Sequence, residues 1–337
     1  MKSLNTLNIN MGKRDFLRAG SAAALWLAGG ARLAYAQENY PSRAISVVVP
    51  YAPGGQGDVF ARVLSEPLGA KLKQTVVVEN RPGASGMLGT RAIVRDKPNG
   101  YQLLLGQTGE IAITPTVNKN AGYDALQDLE PIVLVGNSPL VLIAPKNSPY
   151  NTIQELIALA GSEPDKVSYA SSGTATPGHL AAAALALGTK TEMIHVPYKG
   201  AGQAMTDVIG GQVNCFFSSA SAAMGHIKSG SVKVLAVSSL KRLSSLPDVP
   251  TIAETVLPRF NYSLWGGYFA PKGTPREIIK RLNQDINDIL AVPEIRSRFE
   301  ADGSAVPSNT PEQFTQFVQA EIAKYRDLIA ATGIVIE

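Results

Sequence analysis

Between Val47 and Asp58 the sequence reads VVVPYAPGGQGD, a β-branched run that ends in two prolines, three glycines and an acidic residue. A helix that starts straight after a strand carries unpaired N–H groups and about half a positive charge at its first turn. Glycine has no Cβ, so an anion can come close to that backbone. Gly54, Gly55 and Gly57 therefore make one candidate wall for a small negatively charged ligand. Asp58 would repel such a ligand if it pointed outward. Its expected task is to turn back onto N–H groups of the loop or of the first helical turn and hold the loop open.

Three more turns have the same character. YASSGTATPGHL sets Ser171, Ser172, Gly173, Thr174, Ala175 and Thr176 between a strand at 167–170 and a helix opening at Pro177. VPYKGAGQAMTDV supplies Gly200 and Gly202, and FFSSASAA supplies Ser218, Ser219 and Ser221. In a parallel α/β sheet, ligands collect where strands end and helices begin. Four such turns can enclose one small anion without any arginine.

Other chemistries find less support. His179, His195 and His226 fall on separate elements without metal-ligand spacing, which points to structural roles and to no metal. Ser172 and His179 are close enough in sequence to suggest a nucleophile and base, but there is no G-x-S-x-G elbow and no indicated acid partner. The glycine turn lacks the Lys-Ser/Thr pair of a Walker loop and is not G-x-G-x-x-G, so no cofactor is expected. Cys215, the one cysteine, lies inside the apolar VNCFF and is expected to be buried.

The elements that must position these turns alternate along the chain. ISVVVPY precedes a helix from about Asp58 to Leu72, TVVVEN precedes one near Ala84 to Arg95, and YQLLLGQ follows; VSYASSG, EMIHVPYK, VNCFFSSA and VKVLAVSS continue the pattern. Apolar strands alternating with helices predict parallel sheets covered on both faces. Two segments break the rhythm. Pro131 to Ser148 is too long for one strand, and Tyr262 to Pro275 is extended again. The expected organisation is a discontinuous first domain, residues 37–137 plus 263–337, and a second domain, 138–262, with a hinge in the two crossing segments. Three helices, each with proline at its start and the last ending at Gly333, close the first domain.

The first 36 of the 337 residues have a basic start, an apolar Ala/Leu stretch and a small-x-small end at Ala34–Ala36, the layout of a secretory signal cleaved after about Ala36. KRDFLR also resembles a twin-arginine signal with Lys13 in the first basic place. Removing this leader takes away five basic residues and one acidic, leaving 26 of each. A neutral mature chain gives no electrostatic case for nucleic acid or for an acidic membrane surface.

With these segments in hand, the chain resembles the tripartite tricarboxylate transporter substrate-binding receptors, the Bug family of periplasmic solute-binding proteins. The likeness runs through YPSRAISVVVPYAPGGQGDVFAR, VVVENRPGASGMLGT, KPNGYQLLLG, VSYASSGTATPGHLAAA, HVPYKGAGQAMTDVIGGQVNCFF, VKVLAVSSLKRLSSLPDVPTIAET and LWGGYFAPKGTPREIIKRLN, which together cover the whole mature chain. It implies a type II periplasmic-binding-protein fold, two α/β domains around a ligand cleft. It implies a carboxylate held by backbone N–H groups, hydroxyls and water, between Ala52, Pro53, Gly54, Gly55 and Asp58 on one side and Ser172, Gly173, Thr174 and His179 on the other. Pro197, Tyr198, Lys199 and Gly200 would lie nearby. Implied ligands are di- and tricarboxylates, aromatic acids and acidic amino acids; implied partners are integral-membrane subunits of the TctA/TctB kind, with the receptor itself monomeric. A ligand-sensing receptor for a signalling partner is the alternative.

The far end of the ligand would be read at less uniform positions. Thr108 and Glu110 are expected at the end of a first-domain strand near the cleft mouth; a Glu110 that faced the ligand would disfavour a second carboxylate, and otherwise it would be a solvated or capping residue. Tyr51, Tyr198 and Trp265 are candidates for stacking on a flat ligand, with Trp265 equally suited to packing the hinge. Asn214 stands where an acidic residue is common in the family.

Overall fold

A computed structural model describes residues 40–118, 120–198, 200–301 and 303–333 of the chain. The expected signal at 1–36 and the candidate site residue Lys199 lie outside the described residues. From Arg43 onward the chain forms one compact unit.

Among the described residues nine strands form one curled sheet: β1 (Ile45–Val49), β2 (Val76–Asn80), β3 (Gln102–Gln107), β4 (Leu129–Pro145), β5 (Ser168–Ser171), β6 (Ile194–Pro197), β7 (Cys215–Ser219), β8 (Val232–Val237) and β9 (Ser263–Pro271). The order is β2-β1-β3-β9-β4-β7-β5-β6, and β8 pairs with β4 from outside that path. The continuous apolar runs behave as interior strands: every residue of β1 except Ser46 is buried. Pairing is parallel between β1 and its neighbours β2 and β3, and between β5 and its neighbours β6 and β7. The centre is different. β9 runs antiparallel to β3 and β4, and β4 runs antiparallel to β7 and β8, so the sheet is mixed where wholly parallel sheets are expected.

The stretch from Pro131 corrects the expectation that it is too long for one strand. Its residues 131–145 lie within a single strand of 17 residues, and Lys146 to Ser148 follow as a turn. The strand is this long because it changes partners. Leu129–Pro139 pairs with β9, Leu140–Ile143 with β7, and Val141–Pro145 with β8, with register shifts absorbing the extra twist. Chain return is marked by the Tyr262 N–H, which bonds the Ser238 carbonyl just past β8 before β9 begins.

Helices cover both faces. They are α1 (Gln56–Leu72), α2 (Met87–Val94) and α3 (Thr114–Val117) in the first half, and α4 (Ile153–Ser162), α5 (Pro177–Thr189), α6 (Ala201–Ile209), α7 (Ala220–Lys228) and α8 (Ile252–Thr255) in the second. The helix expected near Ala84 starts three residues later, after a short 3-10 turn at Ala84–Gly86. The closing helices are α9 (Arg276–Leu290), α10 (Pro293–Ala301) and α11 (Pro311–Thr332); Pro275 is the N-cap of α9 and lies before its first turn. Gly333 ends α11 in a left-handed conformation. α11 packs on β4 and on α5, so one apolar cluster joins Trp265, Phe269, Phe314 and Tyr325 to Ala175 and Leu180 of the other half. Gly267 makes that packing possible: a Cβ there would press into the Phe314 ring and sit 2.7 Å from the Val133 carbonyl oxygen. Cys215 is buried.

Candidate functional site

The strand-to-helix turns of the sequence reading gather into two clusters. In the first, Ala52, Pro53, Gly54 and Gly55 are exposed between β1 and α1, and Tyr51 is half-buried. Gly54 takes φ +87°, a region that L side chains avoid, and a Cβ on it would meet nothing within 4 Å. Gly55 is the N-cap and brings no side-chain acceptor to the helix start. Asp58, buried, turns back: its Oδ2 accepts the Gly54 N–H at 2.9 Å, while Oδ1 accepts from Arg62 Nε and from Asn80 Nδ2, each at 3.0 Å. Burial alone would raise its pKa, but the Arg62, Gly54 and Asn80 donors outweigh that and hold it below the usual carboxylate value. The Asp58 charge is thus spent inside the protein, and the loop is left exposed. Gly57 donates its N–H to Gln107 Oε1 at 3.1 Å, fixing the helix start on β3.

In the second cluster Ser172 and Gly173 are half-buried and Thr174 is exposed. Ser171 is buried at the end of β5; its hydroxyl donates to the Gly173 carbonyl at 2.9 Å and lies 2.6 Å from His195 Nε2. Thr176 Oγ1 donates to the same carbonyl at 2.8 Å. His179 is also buried, and its Nδ1 accepts the Ala175 N–H at 2.9 Å, which bends the loop back over α5. Pro197 is exposed, and Tyr198 donates its phenol to Asp207 Oδ2 at 2.7 Å. Gly200 is the N-cap of α6. Ser218, near the end of β7, is buried with a hydroxyl that has no partner among the described residues, so its bond is open to water or ligand.

Several candidate contacts prove to be supports. Thr108 is buried, and its hydroxyl accepts the Trp265 N–H at 2.9 Å, tying β3 to β9. Trp265 is buried edge-on against Phe314 and Phe317, with its indole N–H given to Glu321 Oε2 at 3.0 Å, so it packs the crossing strand and has no face for stacking. Glu110 is neither solvated nor at the cleft mouth. It is wholly buried, its carboxylate met by the Tyr51 phenol at 2.8 Å and by the Gln107 N–H. Tyr51 consequently aims its hydroxyl inward, between Gly86 and Gly109. A polar residue at the end of a strand reads the same in sequence whether it faces the cleft or the packing behind it.

The pairing of serine and histidine also differs from the hydrolase alternative. The bonded pair is Ser171 with His195, not Ser172 with His179, and the His179 nitrogen nearest the loop is taken by a backbone donor. His195, which the sequence alone marks only as structural, is set opposite Tyr169 by the parallel pairing of β5 and β6, and its ring lies on that of His179. Asn80 was not singled out at all. Its amide bonds both the Tyr51 carbonyl and Asp58, and the strand TVVVEN offered only its position at the end of β2 as a clue. Gln56, the first residue of α1, donates to Ser138 Oγ on the crossing part of β4.

Such a frame, with one strand passing between two sheet halves and glycine- and serine-rich turns at the strand ends, is that of a type II periplasmic binding protein, a class of solute receptors. The chain belongs to the family described as Tripartite tricarboxylate transporter family receptor, whose model matches residues 60–334. Periplasmic binding protein BugD superposes with a TM-score of 0.79 at 36% identity, over 88% of this chain and 100% of that one. An R. palustris protein solved with adipate gives 0.82 at 29% identity, over 88% and 99%. MatC from Rhodopseudomonas palustris, with bound malate, gives 0.78 at 30% identity, over 86% and 100%. The chain is accordingly a periplasmic solute-binding receptor that takes a small-molecule ligand and serves a membrane transporter.

Proposed function

We propose that this receptor captures one small carboxylate, with malate- and adipate-like diacids the first candidates and aromatic acids and acidic amino acids next, between the loop at 51–55 and the loop at 172–174. The observation that carries this is the inward turn of Asp58 onto the Gly54 N–H, which keeps a glycine-walled helix start exposed and free of side-chain charge. Neighbours of similar fold that hold adipate and malate support the ligand class. Residues 37–137 plus 263–337 and residues 138–262 act as two lobes that close about β4 and β9. Closure removes water from charge-assisted hydrogen bonds worth about 1.5–3 kcal/mol each, and a few of these reach the roughly 8 kcal/mol of a micromolar complex. The signal is cleaved after Ala36, and the mature monomer delivers its ligand to TctA/TctB-like membrane subunits.

The test is a thermal-shift screen of the mature protein against malate, adipate, other di- and tricarboxylates, aromatic acids and acidic amino acids, followed by calorimetry. One bound acid per chain, lost in Gly55→Val, is expected. An affinity that Gly55→Val leaves unchanged, or ligands that are not acids, would overturn the assignment.

A further inference from the structure

We propose that Glu110 is a positioning residue of the anion site: it acts through the Tyr51 phenol on both the loop at 51–55 and the turn at 83–86, and the site holds its anion best while this carboxyl is uncharged. The inference rests on the carboxylate reading given above.

Glu110 has no exposure, and among the described residues no lysine or arginine pairs with it. Its Oε1 receives the Gln107 N–H and its Oε2 lies 2.8 Å from Tyr51 Oη. The phenol oxygen is also 3.3 Å from the Ser85 carbonyl oxygen. There is little room for it to swing: a Cβ on Gly109 would come within 2.6 Å of Oη and one on Gly86 within 3.1 Å. Tyr51 is therefore a short strut that joins a buried acid and the first loop of the proposed site to the turn at 83–86. That turn is strained. Gly83, Ala84, Ser85 and Gly86 all have positive φ, at 139°, 47°, 52° and 89°.

The strut can carry its proton in two ways. When Glu110 is neutral, Oε2–H donates to Tyr51 Oη and the phenol hydrogen is free for the Ser85 carbonyl, which ties down the left-handed turn. When Glu110 is ionised, the phenol hydrogen swings to Oε2, Ser85 loses its donor, and a buried negative charge lies behind a site for an anion. Both consequences weaken binding. The surroundings favour the neutral form. The groups facing Glu110 are the Tyr51 phenol from the first loop and the Tyr123 phenol, which donates to the Glu110 carbonyl at 2.6 Å. Arg91 on α2 is engaged with the Ala121 and Asn120 carbonyls, and Glu321 on α11 is held by Trp265 and Lys324. Burial, partly offset by the Gln107 N–H, moves the Glu110 pKa up to about 8.

Two readouts on the mature protein decide the matter. Unfolding without ligand should show stability falling as pH rises toward about 8 in the wild type, with that slope lost in Glu110→Gln, since a raised carboxyl favours the folded state less as its proton leaves. Calorimetry with malate and adipate should show the wild-type Kd rising about tenfold between about pH 6.5 and pH 9.5, one pK unit of coupling between two anions. Glu110→Gln should be flat across that range, and Tyr51→Phe, which cuts the strut, should retain only part of the rise. Identical pH profiles for wild type and Glu110→Gln would overturn the role of Glu110 while leaving the carboxylate site standing. Failure of the wild type to bind any acid at pH 6.5 would sink the site and this role together, whatever the unliganded slopes show. Should Glu110→Gln not fold, an unaltered profile in Tyr51→Phe is the overturning result.

Discussion

The imidazoles of His179 and His195 lie face to face, with ring centroids 3.8 Å apart and planes 6° from parallel. Tyr169 lies beside the pair, its ring centroid 5.0 Å from that of His195 and 6.1 Å from that of His179. Such a contact suits two neutral rings and not two cations. Burial and then the neighbouring His195 lower the His179 pKa to about 4, and burial lowers that of His195 as well. A histidine held neutral in the fold but free to charge when unfolded costs stability as pH drops from about 6.5 through about 4. The loss is about 3 kcal/mol for His179, at about 1.4 kcal/mol per unit. Denaturant unfolding in steps across that range should show the slope, and His179→Gln should flatten it. A wild-type curve level from pH 7 to pH 4 would contradict the neutral stack.

Gly55→Val is expected to abolish ligand binding while changing stability by less than about 1 kcal/mol. Its backbone, at φ −77° and ψ 167°, is one that any residue adopts, and the nearest atom to a new Cβ is the Ala52 carbonyl oxygen at 3.8 Å. Gly54→Val is the poorer probe, because the left-handed φ adds strain of about 1 kcal/mol or more whether or not a ligand binds there. Calorimetry and circular dichroism on both variants separate the two effects: comparable Kd values for Gly55→Val and wild type would show that the anion is not seated on this loop.

What the sequence made legible was what periodicity and turn chemistry report. The β-branched runs became strands, the glycine turn became an exposed helix start, and Asp58 pointed back as a carboxylate near a helix N-terminus should. The rest depended on which strands became neighbours. Glu110 sits three residues past β3 and Trp265 lies within β9; the sequence does not tell which side of its element each one faces, and their burial shows that both face packing. The antiparallel centre was illegible for a related reason, since the direction of β4 against β7, β8 and β9 depends on connections far longer than any local pattern. His195 became part of the second cluster through its register against Tyr169, a relation no local pattern encodes.

Asp58→Ala should cost about 1–3 kcal/mol and weaken ligand binding, because it leaves the Gly54 N–H, the Asn80 amide and Arg62 without their shared acceptor. The same carboxylate sets a pH effect opposite in cause to that of the histidines. With its folded pKa below the ordinary value, its contribution is full above about 3.8 and disappears as pH falls through the lower folded value. Asn80→Ala should reproduce the weaker binding with a smaller loss of stability, since Arg62 and Gly54 remain. Equal affinities in Asn80→Ala and wild type would mean that the Asn80 bridge to the Tyr51 carbonyl does not shape the loop.

The last prediction concerns how the first loop is tied to the crossing strand. Gln56 donates to Ser138 Oγ, and Ser138 Oγ shares a hydrogen with Ser304 Oγ, so three polar side chains link the start of α1, the partner-changing stretch of β4 and the segment before α11. Ser138 and Ser304 are buried, and the bridge at Asn137 and Ala305 holds their backbones together. Ser138→Ala removes the hub and strands two polar groups, at a cost of about 1–3 kcal/mol. Ser304→Ala removes one arm and should cost less. Because both variants break one network, the double variant should lose less than the two losses added together, by about 0.5 kcal/mol or more. Strict additivity in urea unfolding would show that the three residues act separately, and that the start of α1 has no polar tie to the strand on which the halves would turn.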